Sequence, residues 1–126
     1  GSPLSCAVGM AVLDDMDAEG LQENARVVGS RLKAGLQGLV DRHPLAAMVH
    51  GTGLYLGLEL IRDTSGHEPA AAETAAICER LRELGVVVQP TSERQNVLKI
   101  KPPLCLSAEA ADFAVAQIDR VLTEGW

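Results

Sequence analysis

Two lysines set two residues apart, Lys99 and Lys101 in the stretch QNVLKIKPPLCL (95–106), are the clearest chemical signal in this chain. On a strand, residues i and i+2 point to the same side, so the two ammonium groups share one face while Leu98 and Ile100 share the other. Like charges side by side repel by a few tenths of a kcal/mol unless an anion sits opposite. Two readings follow: solvated lysines that protect a sheet edge from aggregation, or a grip on an anionic ligand. His50, at the end of a strand and before a glycine, is the second candidate for a binding contact. Glu59 alternates with leucines and reads as a buried or interface carboxylate.

Other tempting sites are weaker. GTG at 51–53 lacks the third glycine and following helix of a dinucleotide fingerprint, and the residues after it alternate as a strand, so it reads as a turn. His43 precedes a proline at a helix end and reads as an exposed cap; His67 lies in a polar loop. No G-x-S-x-G elbow supports a hydrolase nucleophile. Cys6, Cys78 and Cys105 are odd in number, widely spaced and set in apolar stretches. That pattern predicts buried free thiols in a reducing cytoplasm rather than a zinc set.

Composition narrows the function classes. The chain has 126 residues and 47% hydrophobic content, enough for one domain with a real core or for one piece of a larger protein. No apolar run approaches the ~20 residues of a membrane span, and the start has no basic region of a secretory signal. A net charge of −6 argues against a nucleic-acid footprint. With Tyr55, Phe113 and Trp126 the only aromatics, a base-stacking platform is also disfavoured.

The elements that would position these residues are legible from period and punctuation. Residues 4–16 form a helix that is apolar on nearly every side, rich in small residues, and suited to packing against further protein. Asp17 is the expected cap of a second helix ending at His43-Pro44, with Leu21, Ala25, Val28, Leu32, Leu36, Leu39 and Val40 as its inner stripe. Residues 46–50 and 54–61 make a hairpin or bent strand pair, the second strand alternating Leu54, Leu56, Leu58 and Leu60 with Tyr55, Gly57 and Glu59. A loop with Asp63, Ser65 and Gly66 follows. Pro69 should open a third helix through Leu84, with Gly85 after it. Residues 86–89 are expected as a buried strand and 97–101 as another. Ser107 caps the last helix, whose Ala110, Ala114, Ile118, Val121 and Leu122 should face inward. The order predicts an α+β fold: a small sheet of about four strands covered by helices on one face.

GSPLSCAVGMAVLDDM, VHGTGLYLGLELIRD, GVVVQPTSERQNVLKIKPPLCLS and the closing helix, in that order and spacing, resemble the C-terminal part of class III aminotransferases. These are fold-type I enzymes that use pyridoxal 5′-phosphate. Within the class, NVLKIKPPLCL is most similar to the branch of ethanolamine-phosphate and phosphohydroxylysine phospho-lyases. The resemblance implies an interdomain helix segment at 1–16, a C-terminal small domain at 17–126, a large domain bearing the Schiff-base lysine, and a homodimer. It implies a small amine substrate, with no nucleic acid or membrane as partner. At the position of Lys99 the class often carries an arginine that grips the substrate carboxylate, and at His50 it often carries another. The resemblance therefore makes Lys99 and His50 substrate-binding candidates. A lysine is a compact charge suited to less planar anions such as phosphate, where arginine offers a planar fork. Gly1 and Ser2 correspond to a turn beside the cofactor phosphate and are the cofactor-binding candidates. This stretch is not expected to turn over alone. A free-standing α+β module that binds a small anion, or an interaction domain docking through its first helix, are the competing readings.

Overall fold

The computed structural model describes residues 1–63, 65 and 67–126, so Gly66 of the expected loop lies outside the described residues. Helix α1 covers Pro3–Ala18, α2 Leu21–Arg42, α3 Ala71–Glu83 and α4 Ala108–Glu124. Strands β1 (Ala46–Thr52), β2 (Tyr55–Asp63), β4 (Gln89–Thr91) and β5 (Val97–Ile100) form an antiparallel sheet in the order β1-β2-β5-β4. A two-residue strand β3 (Glu68–Pro69) pairs with β2 off this path.

The two-residue period of β2 decides which face is which. Leu56, Leu58 and Leu60 are buried at 2%, 0% and 0% exposure, with Leu98 and Ile100 beside them on β5. Against this face pack Leu32, Leu36 and Leu39 of α2, Ile77 and Leu81 of α3, and Ala111, Ile118 and Val121 of α4. One core lies between sheet and helices, and among the described residues the opposite face of the sheet carries no helix of its own. The fold is α+β, as the element order predicts.

Helix α2 approaches the β1–β2 turn backbone to backbone. A Cβ at Gly29 would sit 2.3 Å from the carbonyl oxygen of Gly53, so this contact tolerates no side chain. Lys33 secures the same corner by donating from Nζ to the Gly51 carbonyl at 2.8 Å. Of GTG, read from the sequence as a turn, Gly51 and Thr52 instead continue β1, paired to Leu56 and Tyr55, and the turn itself is Gly53–Leu54. Arg31 forks onto Asp112 at 2.7 and 2.6 Å, joining α2 to α4.

Several expectations need correction. Asp17 lies inside α1, and its carbonyl accepts from Gly20; the cap of α2 is Gly20, whose φ of +60° lets the chain redirect at little cost. Pro69 belongs to β3, opposite Ile61, and α3 starts two residues later. Residues 86–88 are not a strand, and Val87 is 79% exposed. Continuing the observed register, Val87 and Val86 would face Lys101 and Pro102, where β5 has ended and the prolines have no N–H to give a ladder. The strand shifts to 89–91 instead, and β5 stops at Ile100. In α4 the inward alanine is Ala111, while Ala110 is exposed. Only Cys78 is a buried thiol, pushed up to about 11 chiefly by burial. Cys6 and Cys105 are exposed, on α1 and in the loop after the prolines. His43 is a helix C-cap but is largely covered, its Nε2 2.5 Å from Asp119 of α4.

Leu4, Val8, Met10, Val12 and Leu13 of α1 are each more than half exposed, and no residue of that helix is buried.

Leu36→Ala should cost about 2–5 kcal/mol in urea unfolding, because it empties a fully buried site where three helices meet the sheet. Asp119 offers a check on acid stability. His43 first, and then Arg42, hold its carboxyl below the ordinary 3.8. A depressed folded pKa contributes stability above the unfolded value that is lost as pH falls through the folded one. Asp119→Asn should therefore remove part of the stability at neutral pH and flatten the acid limb below pH ~4 in an unfolding series.

Candidate functional site

The helix-free face of the sheet gathers the polar residues. Register places His50 opposite Gly57 on one side of β2, and Lys99 opposite Gly57 on the other. His50, Gly57, Lys99 and Gln89 thus form one row across four strands. The next row carries Met48, Glu59, Val97 and Thr91. Alternation along β2 and β5 puts all of these on the side away from the core.

Glu59 is the electrostatic centre of the face. Its Oε2 lies 2.7 Å from His50 Nε2, a diagonal cross-strand pair. Asn96, 3% exposed, donates from Nδ2 to the Leu60 carbonyl at 3.0 Å and reaches Glu59 Oε1 at 3.4 Å. Ser92 donates in turn to Asn96 Oδ1 at 2.9 Å. The His50 hydrogen bond, more than anything else, holds the Glu59 carboxyl below its ordinary 4.5, against partial burial. A carboxylate facing Nε2 requires the proton on that nitrogen, which leaves Nδ1 as the free edge of the ring.

The two lysines have different surroundings. Lys101 lies past the end of β5, exposed, with its ammonium 5.6 Å from the Tyr55 ring centroid. That contact is worth about 0.5–1 kcal/mol at an exposed site. Lys99 is half-buried and has no hydrogen bond, ion pair or ring contact among the described residues. It borders a depression of about 190 Å³ lined also by His50, Tyr55, Gly57, Thr91 and Val97. A wider lobe of about 550 Å³ continues from His50 past Glu59 to Arg94. A larger groove of about 630 Å³, between the Pro102-Pro103 corner and α4, is lined mainly by Val86, Val88, Leu106 and Phe113. Gln89, Lys99 and Lys101 line its strand side, so Lys99 borders this groove as well as the smaller depression.

Gly1 and Ser2 stand apart from this face, at the start of α1. Ser2 is the helix N-cap, accepting from the Ser5 N–H at 3.1 Å and donating to Ser5 Oγ at 2.9 Å. A self-contained pyridoxal phosphate site needs a lysine in an enclosed pocket next to phosphate donors. Lys33 is committed to Gly51, Lys101 sits over Tyr55, and Lys99 opens on a shallow face. These residues do not fit the cofactor as a site of their own.

The class III aminotransferase family model matches residues 1–122. The chain belongs to that family. It is 43% identical to alanine–glyoxylate aminotransferase 2 homolog 2, mitochondrial, of Arabidopsis thaliana, over 98% of this chain and 26% of that protein. It is 32% identical to ethanolamine-phosphate phospho-lyase homolog 1 of Caenorhabditis elegans, over 98% of this chain and 27% of the relative. Among solved structures, a phospholyase from Arthrobacter in complex with phosphoethanolamine superposes with a TM-score of 0.90 at 35% identity, covering 96% of this chain and 29% of that one. An amine transaminase from an uncultivated Pseudomonas species, in its PLP-bound form, does so at 0.87 and 34% identity, over 98% of this chain and 28% of that one. The chain thus spans about a quarter of the length of the relatives it matches.

Family membership supports the class resemblance drawn from the separated motifs, and the geometry adds residues that the sequence alone did not assign. Asn96 and Ser92 join the site through hydrogen bonds between the β4–β5 loop and β2. A lone asparagine in a loop of turn-forming residues gives no sign of this. Gly57 enters only once register sets it between His50 and Lys99.

A carboxylate-detected NMR titration should place the Glu59 midpoint below 4.5, and His50→Ala should move it upward.

Proposed function

We propose that this chain is the C-terminal small domain of a pyridoxal-phosphate-dependent class III enzyme acting on a small amine with an anionic end. The open face of the sheet forms one wall of the active-site cleft. Lys99 meets the substrate anion and His50 lies beside it. The observation that carries this reading is the half-buried, unpartnered Lys99 ammonium, in one row with His50, within a chain of this family. A charge held there without a partner is better satisfied by a ligand than by a half-buried face.

The remainder of the enzyme holds the cofactor, with Gly1 and Ser2 beside its phosphate at the start of α1. When bound, pyridoxal phosphate supplies the electron sink for the carbon next to the amine nitrogen. The residues of this chain bind and orient the substrate's other end and shield it from water. Residues 1–16 serve as the interdomain segment and 17–126 as the small domain. The exposed apolar side chains of α1 support this division, since a contiguous apolar patch on a helix calls for a covering partner. A large domain of the same chain supplies that cover, and two copies form a homodimer. The phospho-lyase branch and a phosphorylated amine are favoured by lysine in place of arginine at 99, and by the phosphoethanolamine bound to the Arthrobacter neighbour. We place the enzyme in the cytoplasm on its free cysteines. Cell fractionation separates this from the mitochondrial location named for one of its relatives.

Product analysis of the full-length protein tests the reading. Incubation with phosphoethanolamine should release phosphate, and ordinary amino donors should be poorer substrates. No product from either class sinks the proposal. Lys99→Ala should lower kcat/KM about tenfold to a hundredfold, the scale of losing one charged hydrogen-bond partner. Lys101→Ala should cost less, and Lys99→Arg should favour carboxylate substrates over phosphorylated ones.

A further inference from the structure

His50 is satisfied on one nitrogen only. Its Nε2 lies 2.7 Å from Glu59 Oε2, and among the described residues its Nδ1 has no partner. Glu59 is itself held from behind. Asn96, 3% exposed and anchored to the Leu60 carbonyl at 3.0 Å, reaches Oε1 at 3.4 Å, and Ser92 donates to Asn96 Oδ1. An ionised carboxylate only accepts, so the neutral ring carries its proton on Nε2 and presents a lone pair at Nδ1. A ring so placed is an acceptor with a negative charge behind it. Lys99 is the opposite pole of the same row: a cation with three donors and no partner among the described residues. Strands β1 and β5 flank β2, so the two backbones stand about 10 Å apart. The flexible four-carbon stem of the lysine closes part of that gap.

We infer that the open face is a two-pole specificity device: Lys99 takes the substrate's anion, while His50 Nδ1, fixed by Glu59, takes an O–H or N–H donor and turns away a second anion. The assignment rests on the functional reading above and deepens it. It narrows the substrate class to phosphorylated amines that carry a hydroxyl or a further amine rather than a carboxylate. A carboxylate at Nδ1 would set oxygen lone pairs against a nitrogen lone pair, with the Glu59 charge behind. Both groups would lose water and gain no hydrogen bond. A hydroxyl or ammonium placed there completes the ring's second hydrogen bond instead. Glu93 and Arg94, which line the outer lobe with His50, are exposed and offset each other's charge, so Glu59 sets the sign at the ring.

The opposing explanation is a cross-strand pair that stabilises the sheet and reads no ligand. Two measurements on the full-length protein separate them, both after borohydride reduction of the cofactor-bound enzyme, which blocks turnover. The first is nitrogen NMR of isotope-labelled histidine at about pH 8.5, two units above the ordinary imidazole midpoint of about 6.5. With His50→Arg for assignment, it should show the His50 ring protonated at Nε2 and bare at Nδ1. The second is calorimetry with two probes that share an amine and a phosphate ester: serinol phosphate, with a hydroxymethyl group, and O-phosphoserine, with a carboxylate in its place. Serinol phosphate should bind about tenfold or more tightly, the scale of a hydrogen bond made in one case and an acceptor left unpaired in the other. His50→Arg should reverse the order, because a guanidinium only donates and forks onto a carboxylate. Glu59→Gln should narrow the difference, because an amide both donates and accepts and no longer confines the ring to one tautomer. A ring protonated at Nδ1 overturns the proposal, and so does phosphoserine binding as tightly as serinol phosphate in the unsubstituted protein. An order unchanged by His50→Arg, or failure of both probes to bind, overturns it equally. Neither measurement needs turnover, so this assignment and the functional reading fail separately: product analysis with phosphoethanolamine decides the latter alone.

Discussion

Strand β2 is the constraint on which the rest of the structure depends. Among the described residues it is the only long strand paired on both flanks, with β1 on one side and β5 on the other, and its leucines Leu56, Leu58 and Leu60 all point into the core. Burying Leu56, Leu58 and Leu60 against three helices contributes several kcal/mol by area, so the register of this strand is strongly held. A slip by one residue would place Tyr55, Gly57 and Glu59 in the core and the leucines in water. The same alternation that closes the core therefore assembles the polar face. Position and chemistry are two sides of one strand.

The polar side of that strand is held by a connected set of hydrogen bonds rather than by packing. Asn96 is buried, and its cost is met because Ser92, Leu60 and Glu59 satisfy its amide. Ser92 and Gln95 sit in the left-handed region, at φ +83° and +54°, which non-glycine residues adopt at a cost. The amide of Gln95 returns to the Ser92 carbonyl at 2.7 Å and helps to hold the turn. Strain in the β4–β5 loop is thus offset by bonds that also fix Glu59 and, through it, His50. This couples the loop between two short strands to a histidine two strands away.

Much of this was legible in the chain because it depends on period and local chemistry. The leucines of β2, the inner stripe of α2 and the Ser107 cap need only their neighbours in sequence. Lys99 facing away from Leu98 follows from the two-residue period alone. What failed depends on partners distant in sequence. Val86, Val87 and Val88 have strong strand propensity, yet the prolines that stop β5 leave them nothing to pair with. Asp17 is a good cap type, but α1 runs through it and Gly20 makes the turn. Cys6 looked buried because α1 is apolar, whereas the helix is exposed here. For the site, the lysine pair was visible and its division was not: Lys101 leaves the strand at the prolines and finds Tyr55, while Lys99 keeps its place in the row.

That division bears on why two lysines occur so close together on one strand. An ammonium over an aromatic ring is satisfied, and it also caps the open end of β5 where the ladder stops at Pro102. Such a charge at the end of a short strand discourages pairing with another sheet. Lys99, one turn of the pleat earlier, has Gly57 opposite rather than a ring, and its charge is left facing a space instead of a partner. The difference in surroundings between the two lysines is therefore set by what β2 places across from each: an aromatic side chain at 55 for Lys101, and none at 57 for Lys99.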